Sequence, residues 1–386
     1  MARIRHTRKR LLALDWNLTA IEVASKDALY PFPENVARGD DYICLFSGKS
    51  YRALAPYTIH TTALRTIERL QPDVVIAPAT PFPSGMASIK YCLQHNKISV
   101  MMDDAWEYSD RRGPIITAIK KVIHRNIDAA FIPAPSHAPY YLKMGFPADR
   151  IFYGVDTIDN DYFETFADTF RRQATTLRRE LNLPSKYFLF VGRFIERKGI
   201  KTLLDAYCKY RKSSSKEKWG LILVGDGDER KHHEERMKEF PEVKFVGSQF
   251  GENLCRYYGL ASAFILPSEG ETWGLVVNEA MASRLPVLIS RGCGAGGELV
   301  EEGGNGWTFG VGDSEALAQC MSAMNDLPAG RLEKMGLHSS EIIHKWSLDT
   351  FADSVIAASS IQRRERGGFI SYLVTKLWTG RISFYP

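Results

Sequence analysis

Short apolar runs rich in β-branched and aromatic residues alternate with helical segments along most of this chain. In the second half, the segment IKTLLDAYCKYRKS (200–213) follows the first such run, and its apolar residues have helical spacing. The apolar runs of this half are KYFLFVG (186–192), WGLILVGDG (219–227), VKFVGS (243–248), ASAFILPS (261–268) and PVLIS (286–290). Continuously apolar strands that alternate with helices are typical of a parallel sheet covered on both faces. The sequence therefore predicts an α/β fold.

The first half has the same alternation, and a polar, helix-patterned stretch (165–186) separates the two halves. Its predicted strands are AIEVAS (20–25), PDVVIAPA (72–79), KISVMM (97–102) and DAAFIPA (128–134). We predict a first domain over 1–165, a linker over 166–185, a second domain over 186–345 and a C-terminal helical segment with a basic tail over 346–386. Two Rossmann-like, doubly wound domains would face a central cleft at the carboxyl ends of their strands, where a ligand binds.

Composition excludes several classes of function. The net charge of +5 over 386 residues is too small to favour nucleic acid as a partner, and no aromatic-and-basic RNA-binding signature accompanies it. None of the six cysteines stands in a CxxC pair, so neither a zinc site nor thioredoxin-like chemistry is predicted. Scattered thiols, without an apolar stretch near the roughly 18 residues of a membrane span, predict a protein of the cytosol.

The stretch EGETWGLVVNEAMA (269–282) joins a predicted strand to a predicted helix. Thr272 is the predicted N-cap of that helix. The backbone amides near Trp273, Gly274 and Leu275 would then be free of helical partners. A helix N-terminus with a glycine beside it favours a phosphate group.

Two carboxylates flank this helix start. Glu271 lies just before the helix, and Glu279 lies about one turn inside it. Carboxylates beside a phosphate site are suited to accepting hydrogen bonds from hydroxyls, such as those of ribose or a sugar ring. The alternative is that both glutamates are solvated residues at a helix start.

The cations for such a phosphate site stand in FVGRFIERKG (190–199). Gly192 follows a predicted strand and lets the backbone turn closely. Arg193 and Lys198 follow in the loop before the next helix. A guanidinium and an ammonium together can neutralise a diphosphate without a metal. The alternative is ordinary surface charge.

These segments, taken in order, resemble the donor domain of family-4 glycosyltransferases, which have the GT-B fold. The resemblance covers about residues 70–350 and includes the E-x(7)-E signature of the family. The matching donor-domain segments are VGRFIERKGIKTLLDAY (191–207), LILVGDGDER (221–230), VKFVGSQFGENLCRYYGLASAFILPS (243–268), EGETWGLVVNEAMASRLPVLIS (269–290) and GCGAGGELVEEGGNGWTFGVGDSEALA (292–318). Upstream, GFPADRIFYGVDTIDNDYF (145–163) resembles the end of the family's N-terminal domain. The resemblance implies transfer of a sugar from a nucleotide-sugar donor, with retention at the anomeric carbon and without a metal or other cofactor.

The resemblance also implies roles for single residues. Arg193 and Lys198 would hold the donor diphosphate, and Glu279 would hold the ribose hydroxyls. Glu271 would contact the donor sugar, beside the amides at the helix start. Fixed cations and amides of this kind stabilise the negative charge that develops on a departing phosphate.

Two further residues are expected at the donor. Gln249 lies in GSQFGEN (247–253), a loop expected to help form the pocket for the base or the sugar. Trp273 is expected either to contact the substrate or to pack the loop.

The glycine run GCGAGG (292–297) fits the dinucleotide pattern G-x-G-x-x-G, with Asp313 about 20 residues further on. However, ELVEEGGNG leaves too little helix after it, and too few residues remain for a whole binding domain. We expect these glycines to let the backbone approach the donor instead.

The N-terminal half departs from the family pattern. RIRHTRKRLLALDWN (3–17) looks like the helix that normally follows the first strand, so we expect that strand and its loop to be missing, through truncation or true variation. Many relatives carry a histidine near the reacting centre after a strand like PDVV, but the stretch PDVVIAPATPFPSG (72–85) has none. The loop MMDDAWEYSDRRG (101–113) is the best acceptor-side candidate, with Asp104 accepting a hydrogen bond from the acceptor hydroxyl. Helix capping by Asp103 and Asp104 is the alternative.

The C-terminal RRERGGFISYLVTKLWTGR (363–381) is basic and has apolar residues at helical spacing. One hypothesis is that it lies on an anionic membrane, at the inner face of the plasma membrane. The other, which we favour, is that its helix packs its apolar face on the N-terminal domain.

The sequence as a whole predicts a retaining, hexosyltransferase-like glycosyltransferase. Its partners would be a nucleotide-sugar donor and a sugar or lipid-linked acceptor, in cell-surface polysaccharide, lipopolysaccharide or glycolipid biosynthesis. A non-catalytic or degenerate sugar-nucleotide-binding protein is the main alternative. A sugar-nucleotide hydrolase or epimerase, and a dehydrogenase, are further ones.

Overall fold

The structure is a computed structural model, and it divides into two compact units. It describes residues 2–26, 42–107, 113–212 and 217–380. Unit 1 comprises residues 1–155 and 349–386, and unit 2 comprises residues 156–348.

Strands and helices alternate through both units. The strands are β1 (Ala20–Lys26), β2 (Tyr42–Ser50), β3 (Val74–Pro78), β4 (Ile98–Met102), β5 (Ala129–Ile132), β6 (Ile151–Tyr153), β7 (Tyr187–Val191), β8 (Gly220–Val224), β9 (Val243–Phe245), β10 (Ala263–Leu266), β11 (Val287–Ser290) and β12 (Gly306–Phe309). The helices are α1 (Ala2–Leu12), α2 (Pro56–Leu70), α3 (Pro83–Gln94), α4 (Pro114–His124), α5 (Ala138–Lys143), α6 (Asn160–Arg172), α7 (Ala174–Glu180), α8 (Ile200–Lys212), α9 (Arg230–Arg236), α10 (Gly251–Leu260), α11 (Leu275–Ala282), α12 (Gly296–Leu299), α13 (Ser314–Asp326), α14 (Ala329–Ile343), α15 (Leu348–Ser359) and α16 (Phe369–Leu377). Each predicted strand of both halves is present.

The described strands pair in parallel throughout, which confirms the predicted α/β class. Unit 1 holds a pair, β1–β2, and a sheet of four in the order β3-β4-β5-β6. Unit 2 holds one six-stranded sheet. Its four central strands, β7, β8, β10 and β11, are buried along their whole length, as expected when helices cover both faces, and the edge strands β9 and β12 are partly buried.

The strand order in unit 2 indicates where a ligand is expected to bind. The order is β12-β11-β10-β7-β8-β9, so the chain builds outward from β7 to β9 and then returns to the other side of β7 with β10. Neighbouring strands β7 and β10 therefore form the point at which the order reverses. In doubly wound sheets, ligands bind beside the carboxyl ends of the strands at this switch point.

The boundary between the units differs from the predicted linker at 166–185. Unit 2 begins at Asp156, and α6 and α7 belong to it. Helix α6 buries Ala167 and Phe170, and Asn160 donates to Ile343 O at 3.1 Å. The stretch was predicted to be a linker because its exposed face is strongly polar, which hides the narrow apolar stripe that packs on the unit.

The C-terminal segment belongs to unit 1, as predicted. Phe351 of α15 packs against Phe131 of β5, with ring centroids 5.2 Å apart, and Arg366 pairs with the buried Asp128 at 3.3 Å. The favoured prediction for the last helix was wrong about its orientation, because α16 buries Ser371 and Thr375 and leaves most of its apolar residues exposed.

Helix α1 and strand β1 occupy the segments predicted to be helical and extended. The expected absence of an earlier strand and its loop stays a prediction. Among the described residues, no helix is both long enough and apolar enough to cross a membrane.

Candidate active site

Two loops meet at the switch point of unit 2, one after β7 and one after β10. Gly199, in the first loop, has a left-handed backbone with φ of +66°, and a Cβ there would lie 2.1 Å from the carbonyl oxygen of Pro267. Only glycine tolerates both the dihedral angle and this close approach. It therefore lets the loop after β7 pack directly against the loop after β10. This packing places Lys198 in contact with Glu271 of the second loop.

We expect Gly199→Ala to lower the free energy of unfolding more than Gly303→Ala does. Both residues have positive φ, +66° and +71°, but a Cβ at Gly303 would meet nothing within 4 Å. Both variants bear the left-handed strain of roughly 1–2 kcal/mol, and only Gly199→Ala must also displace backbone, at about 2 kcal/mol more. Urea denaturation of both variants measures the difference, and equal midpoints would contradict the close packing of the two loops.

The two loops bring together a cation and a carboxylate predicted from separate motifs. Lys198 Nζ donates to Glu271 Oε2 in an ion pair whose side chains are only 12% and 17% exposed. The Ser268 hydroxyl lies 3.4 Å from the same oxygen. The site thus holds a positive group against a negative one at the switch point, where each is largely shielded from water.

The backbone of Glu271 is held by the glycine run that follows β11. Glu271 N donates to Gly292 O at 2.9 Å, and Gly294 N donates to Glu271 O at 3.0 Å. A Cβ at Gly292 would lie 2.7 Å from Glu269 O, so this glycine is required for packing of the loop. Helix α12 has four residues, which agrees with the prediction that the run is followed by too little helix for a dinucleotide site.

Helix α11 begins two positions later than the predicted cap implies. Its N-cap is Gly274, at φ of +103°, and not Thr272. A Cβ at Gly274 would lie 3.0 Å from Cys293 Sγ and 3.3 Å from Glu271 Cγ, so a glycine is needed here. The N–H groups of Leu275 and Val276 precede the first hydrogen bond of the helix, which runs from Val277 N to Gly274 O at 2.8 Å, and they lie close to Glu271. This end of α11 is therefore suited to an anion.

Glu279 lies on the second turn of α11 and contacts a residue of α10. The buried Tyr258 hydroxyl donates to Glu279 Oε2 at 2.8 Å. Burial raises the pKa of Glu279 to about 7, against a smaller lowering by the Tyr258 hydrogen bond. The Tyr258 hydrogen bond engages Oε2 of Glu279, and the predicted contact of this carboxylate with a ribose hydroxyl stays a prediction.

The side chain of Trp273 holds the loop. It is 1% exposed, its Nε1 donates to Asn278 Oδ1 at 2.9 Å, and Asn278 Nδ2 donates to Asp156 O at 3.0 Å. The Cys293 thiol lies 2.7 Å from Trp273 O, and burial raises the pKa of that thiol to about 12. Of the two expected roles for Trp273, loop packing agrees with this burial, and the substrate contact stays a prediction.

The remaining donor-side candidates lie on neighbouring loops of unit 2. Arg193 is half-buried in the loop after β7. Gly192 N donates to Val224 O at 3.0 Å and so extends the β7–β8 ladder by one residue. Gln249 donates its side-chain amide to Val246 O at 3.0 Å within the loop before α10. Their predicted contacts with a donor stay predictions.

The acceptor-side candidate lies in unit 1, where Asp103 and Asp104 follow β4 and are half-buried. Burial raises the pKa of Tyr141 well above its usual value, and the two carboxylates add to the effect. The rest of that loop, residues 108–112, lies outside the described residues. His137, the N-cap residue of α5, is fully buried, and its ring stacks on Trp106 with centroids 5.8 Å apart.

One group of possible metal ligands occurs among the described residues. Asp161, Glu164 and His344 offer ligand atoms within 4.8 Å of one another. Glu164 is already paired with Arg284. The group belongs to α6 and the end of α14, and not to the loops of the switch point, so it is no part of the candidate site.

Sequence reasoning missed the residues that hold the site in place. Tyr258 contacts Glu279 from a different helix, and Asn278 joins Trp273 to Asp156. Such partners have no local signal, because they are brought together only when α10 and α11 pack.

Comparison with known proteins agrees with this geometry. The family described as "Glycosyl transferases group 1" matches residues 185–326. The sulfoquinovosyl transferase SQD2 of Arabidopsis thaliana is 30% identical over 217 residues, which are 54% of this chain and 39% of that protein. A GDP-mannose-dependent alpha-mannosyltransferase of Corynebacterium glutamicum is 28% identical over 259 residues, 64% of this chain and 57% of that protein. The matched segment thus spans about half the length of these relatives.

A solved structure is similar over nearly the whole chain. The sucrose-phosphate synthase of Thermosynechococcus elongatus superposes with a TM-score of 0.68 at 21% identity, covering 91% of this chain and 90% of that one. This likeness confirms the GT-B fold. Lys198, Glu271 and Glu279 all lie within residues 185–326, the segment that matches the group 1 glycosyl transferase family, and this match agrees with the family-4 resemblance of the sequence.

Proposed function

We propose that this protein transfers a glycosyl group from a nucleoside-diphosphate sugar to an acceptor hydroxyl, with retention at the anomeric carbon and without a metal or other cofactor. The observation that carries the proposal is the Lys198–Glu271 pair beside the N-terminus of α11. A cation, a carboxylate and helix amides meet there, and Glu279 lies one turn further along the same helix.

The chemistry assigns each group a task. The acceptor oxygen forms a bond to the anomeric carbon, the bond to the diphosphate oxygen breaks, and its electron pair stays on the leaving diphosphate, which takes up the proton of the acceptor hydroxyl. Lys198, Arg193 and the α11 amides stabilise that charge, which is greatest in the transition state. Glu271 contacts the donor sugar, and Glu279 accepts hydrogen bonds from the ribose. Asp104 receives a hydrogen bond from the acceptor hydroxyl.

The names of the relatives support a nucleotide-sugar donor, since one is a GDP-mannose-dependent mannosyltransferase. We further propose a sugar or lipid-linked acceptor and a place in the biosynthesis of cell-surface polysaccharide, lipopolysaccharide or glycolipid, at the inner face of the plasma membrane. A non-catalytic sugar-nucleotide-binding protein is the second candidate, because the stretch PDVVIAPATPFPSG (72–85) lacks the histidine that many relatives carry near the reacting centre.

A thermal-shift screen against UDP, GDP, ADP, CMP and NAD, run in EDTA, tests the donor site. One nucleoside diphosphate is expected to stabilise the wild type by about 3 kcal/mol at a hundredfold excess over its Kd. The shift should be lost in Arg193→Ala and Glu279→Ala and kept in Lys201→Met, whose side chain is 81% exposed and pairs with Asp205.

The other outcomes separate the alternatives. No shift with any nucleoside diphosphate would overturn the proposal, and stabilisation by NAD alone would favour a dehydrogenase. Binding of a nucleotide sugar without turnover would favour the non-catalytic protein. Release of free sugar without an added acceptor would favour a hydrolase.

A further inference from the structure

The polar side of the last helix, α16, packs against α4 within unit 1. Ser371 and Thr375 lie one turn apart, and both are buried. Asn126, just beyond the end of α4, donates to both hydroxyls at 2.9 Å, and the Ser371 hydroxyl donates to Val122 O at 2.6 Å. Hydrogen bonds to α4 therefore fix which side of α16 faces the protein.

The opposite side of α16 is apolar and faces solvent. Phe369, Ile370, Leu373 and Leu377 are 78%, 73%, 44% and 74% exposed. Phe369, Leu373 and Leu377 recur every fourth residue, so they form one stripe along the helix, with Ile370 beside it. Single exposed apolar residues are ordinary, but four large ones on one side of a short helix indicate a binding surface.

Helix α4 extends this surface. Ile115 is 75% exposed and lies one turn before Ile119, which packs against the same core cluster of unit 1 as Val374 and Trp378 do. Helical spacing places both isoleucines on one row of α4 with Val122 and Asn126, which are hydrogen-bonded to Ser371 of α16. The apolar stripe therefore continues from α16 onto the exposed end of α4.

The exposed charged residues of α4, of its C-cap and of α16 are positive, and the exposed Glu365 lies four residues before α16. Lys121 and Arg125 are exposed on α4 beside Val122 and Asn126, and Lys376 is exposed on α16. A Cβ at Gly367, just before α16, would lie 3.0 Å from Arg125 Cβ, which places this arginine at the start of the helix. Neither α4 nor α16 contains an aspartate or a glutamate.

We propose that α16 and the exposed side of α4 form a docking surface for an anionic lipid bilayer, with α16 lying parallel to the membrane plane. Its apolar stripe would enter the headgroup–acyl boundary while Lys121, Arg125 and Lys376 meet lipid phosphates. A second copy of the chain fits less well. A two-fold contact through this surface would set the three cations against their own copies, with no carboxylate in either helix to pair with them.

Liposome flotation of the full chain tests this docking surface, and it does not depend on activity at the donor site. The protein is expected to float with vesicles of phosphatidylcholine containing about one-third phosphatidylglycerol, and much less with pure phosphatidylcholine or at high salt. The variant Leu373→Ser/Leu377→Ser should lose at least about tenfold in partitioning. Lys121→Gln/Arg125→Gln should lose the preference for anionic vesicles.

A matched control removes a different exposed aromatic residue from the same unit. Tyr57 is 71% exposed on α2, and Tyr57→Ser should float as the wild type does. Unchanged thermal melts would show that the variants stay folded, since all the replaced side chains are exposed. No flotation of the wild type, or equal flotation of Leu373→Ser/Leu377→Ser, would overturn the proposal. So would a concentration-dependent dimer that this double variant abolishes, because the occupant would then be a second copy.

Discussion

Lys198→Met is expected to lower turnover of the nucleotide sugar about a thousandfold, because it removes the cation that stabilises the leaving diphosphate. The loss should appear in kcat more than in KM, since the charge on the diphosphate is greatest in the transition state. Release of nucleoside diphosphate, measured with the donor whose nucleotide stabilises the protein, gives the rate. A rate within tenfold of the wild type would contradict the assigned role.

The same substitution is expected to destabilise the fold, and this effect must be separated from catalysis. Lys198 and Glu271 are 12% and 17% exposed in their pair, so removing the lysine leaves a shielded carboxylate without a counter-charge. Breaking a buried pair from one side costs about 3 kcal/mol. Chemical denaturation of Lys198→Met should show a loss of this size.

A double variant distinguishes the two effects. Lys198→Met/Glu271→Gln removes both charges, so it should regain most of the lost stability while turnover stays low. Lys201→Met is the matched control, since Lys201 lies three residues further along, is 81% exposed and pairs only within α8. It should change stability by less than about 0.5 kcal/mol and leave turnover unchanged. Recovery of turnover in the double variant would show that stability, and not charge, limits Lys198→Met.

The fold was predictable because its strongest signals are local. The runs that became β7, β8, β10 and β11 are apolar throughout, which only a sheet covered on both faces accommodates. The group of Lys198, Glu271 and Glu279 was predictable for a related reason, since the carboxyl ends of neighbouring parallel strands meet at one edge of a sheet.

What the sequence did not predict depends on tertiary packing. Threonine is a favoured residue at helix N-caps, but the N-cap of α11 is Gly274, two residues after Thr272, at φ of +103°. The side of α16 that faces the protein is set by Asn126, which lies 245 residues away from Ser371. Apolar spacing alone assigned the opposite side, because buried Ser and Thr with satisfied hydroxyls leave no hydrophobic signal.

Glu279 should make the stability of the protein depend on pH in a direction unusual for a glutamate. Its carboxyl has a pKa of about 7 in the folded protein, against 4.5 as the ordinary value. Below about pH 4.5 the carboxyl is protonated in both the folded and the unfolded state, so it does not lower the free energy of unfolding. Between pH 4.5 and 7 the carboxyl is ionised in the unfolded chain and still protonated in the folded protein. The free energy of unfolding of the wild type therefore falls by about 3 kcal/mol as pH rises from 4.5 through 7.

Glu279→Gln does not titrate, so its free energy of unfolding relative to the wild type should rise by this amount between pH 4.5 and 7.5. It should also bind the stabilising nucleoside diphosphate about tenfold more weakly at pH 8, because a neutral amide accepts hydrogen bonds less strongly than a carboxylate. Titration of the phosphates is common to both proteins. The ratio of the two Kd values therefore isolates Glu279, and it should grow as pH rises through 7.

Tyr258→Phe separates burial from hydrogen bonding as the cause of this shift. The Tyr258 hydroxyl stabilises the ionised form of Glu279, so its removal should raise the pKa above about 7 and move both pH transitions upward. Calorimetric binding and urea denaturation from pH 5 to 8.5 measure the two transitions. A pH-independent ratio of Kd values would show that Glu279 is ionised throughout the range, and burial would then not govern this carboxylate. Transitions that move together in Tyr258→Phe would show that one buried group both weakens the fold and holds the donor.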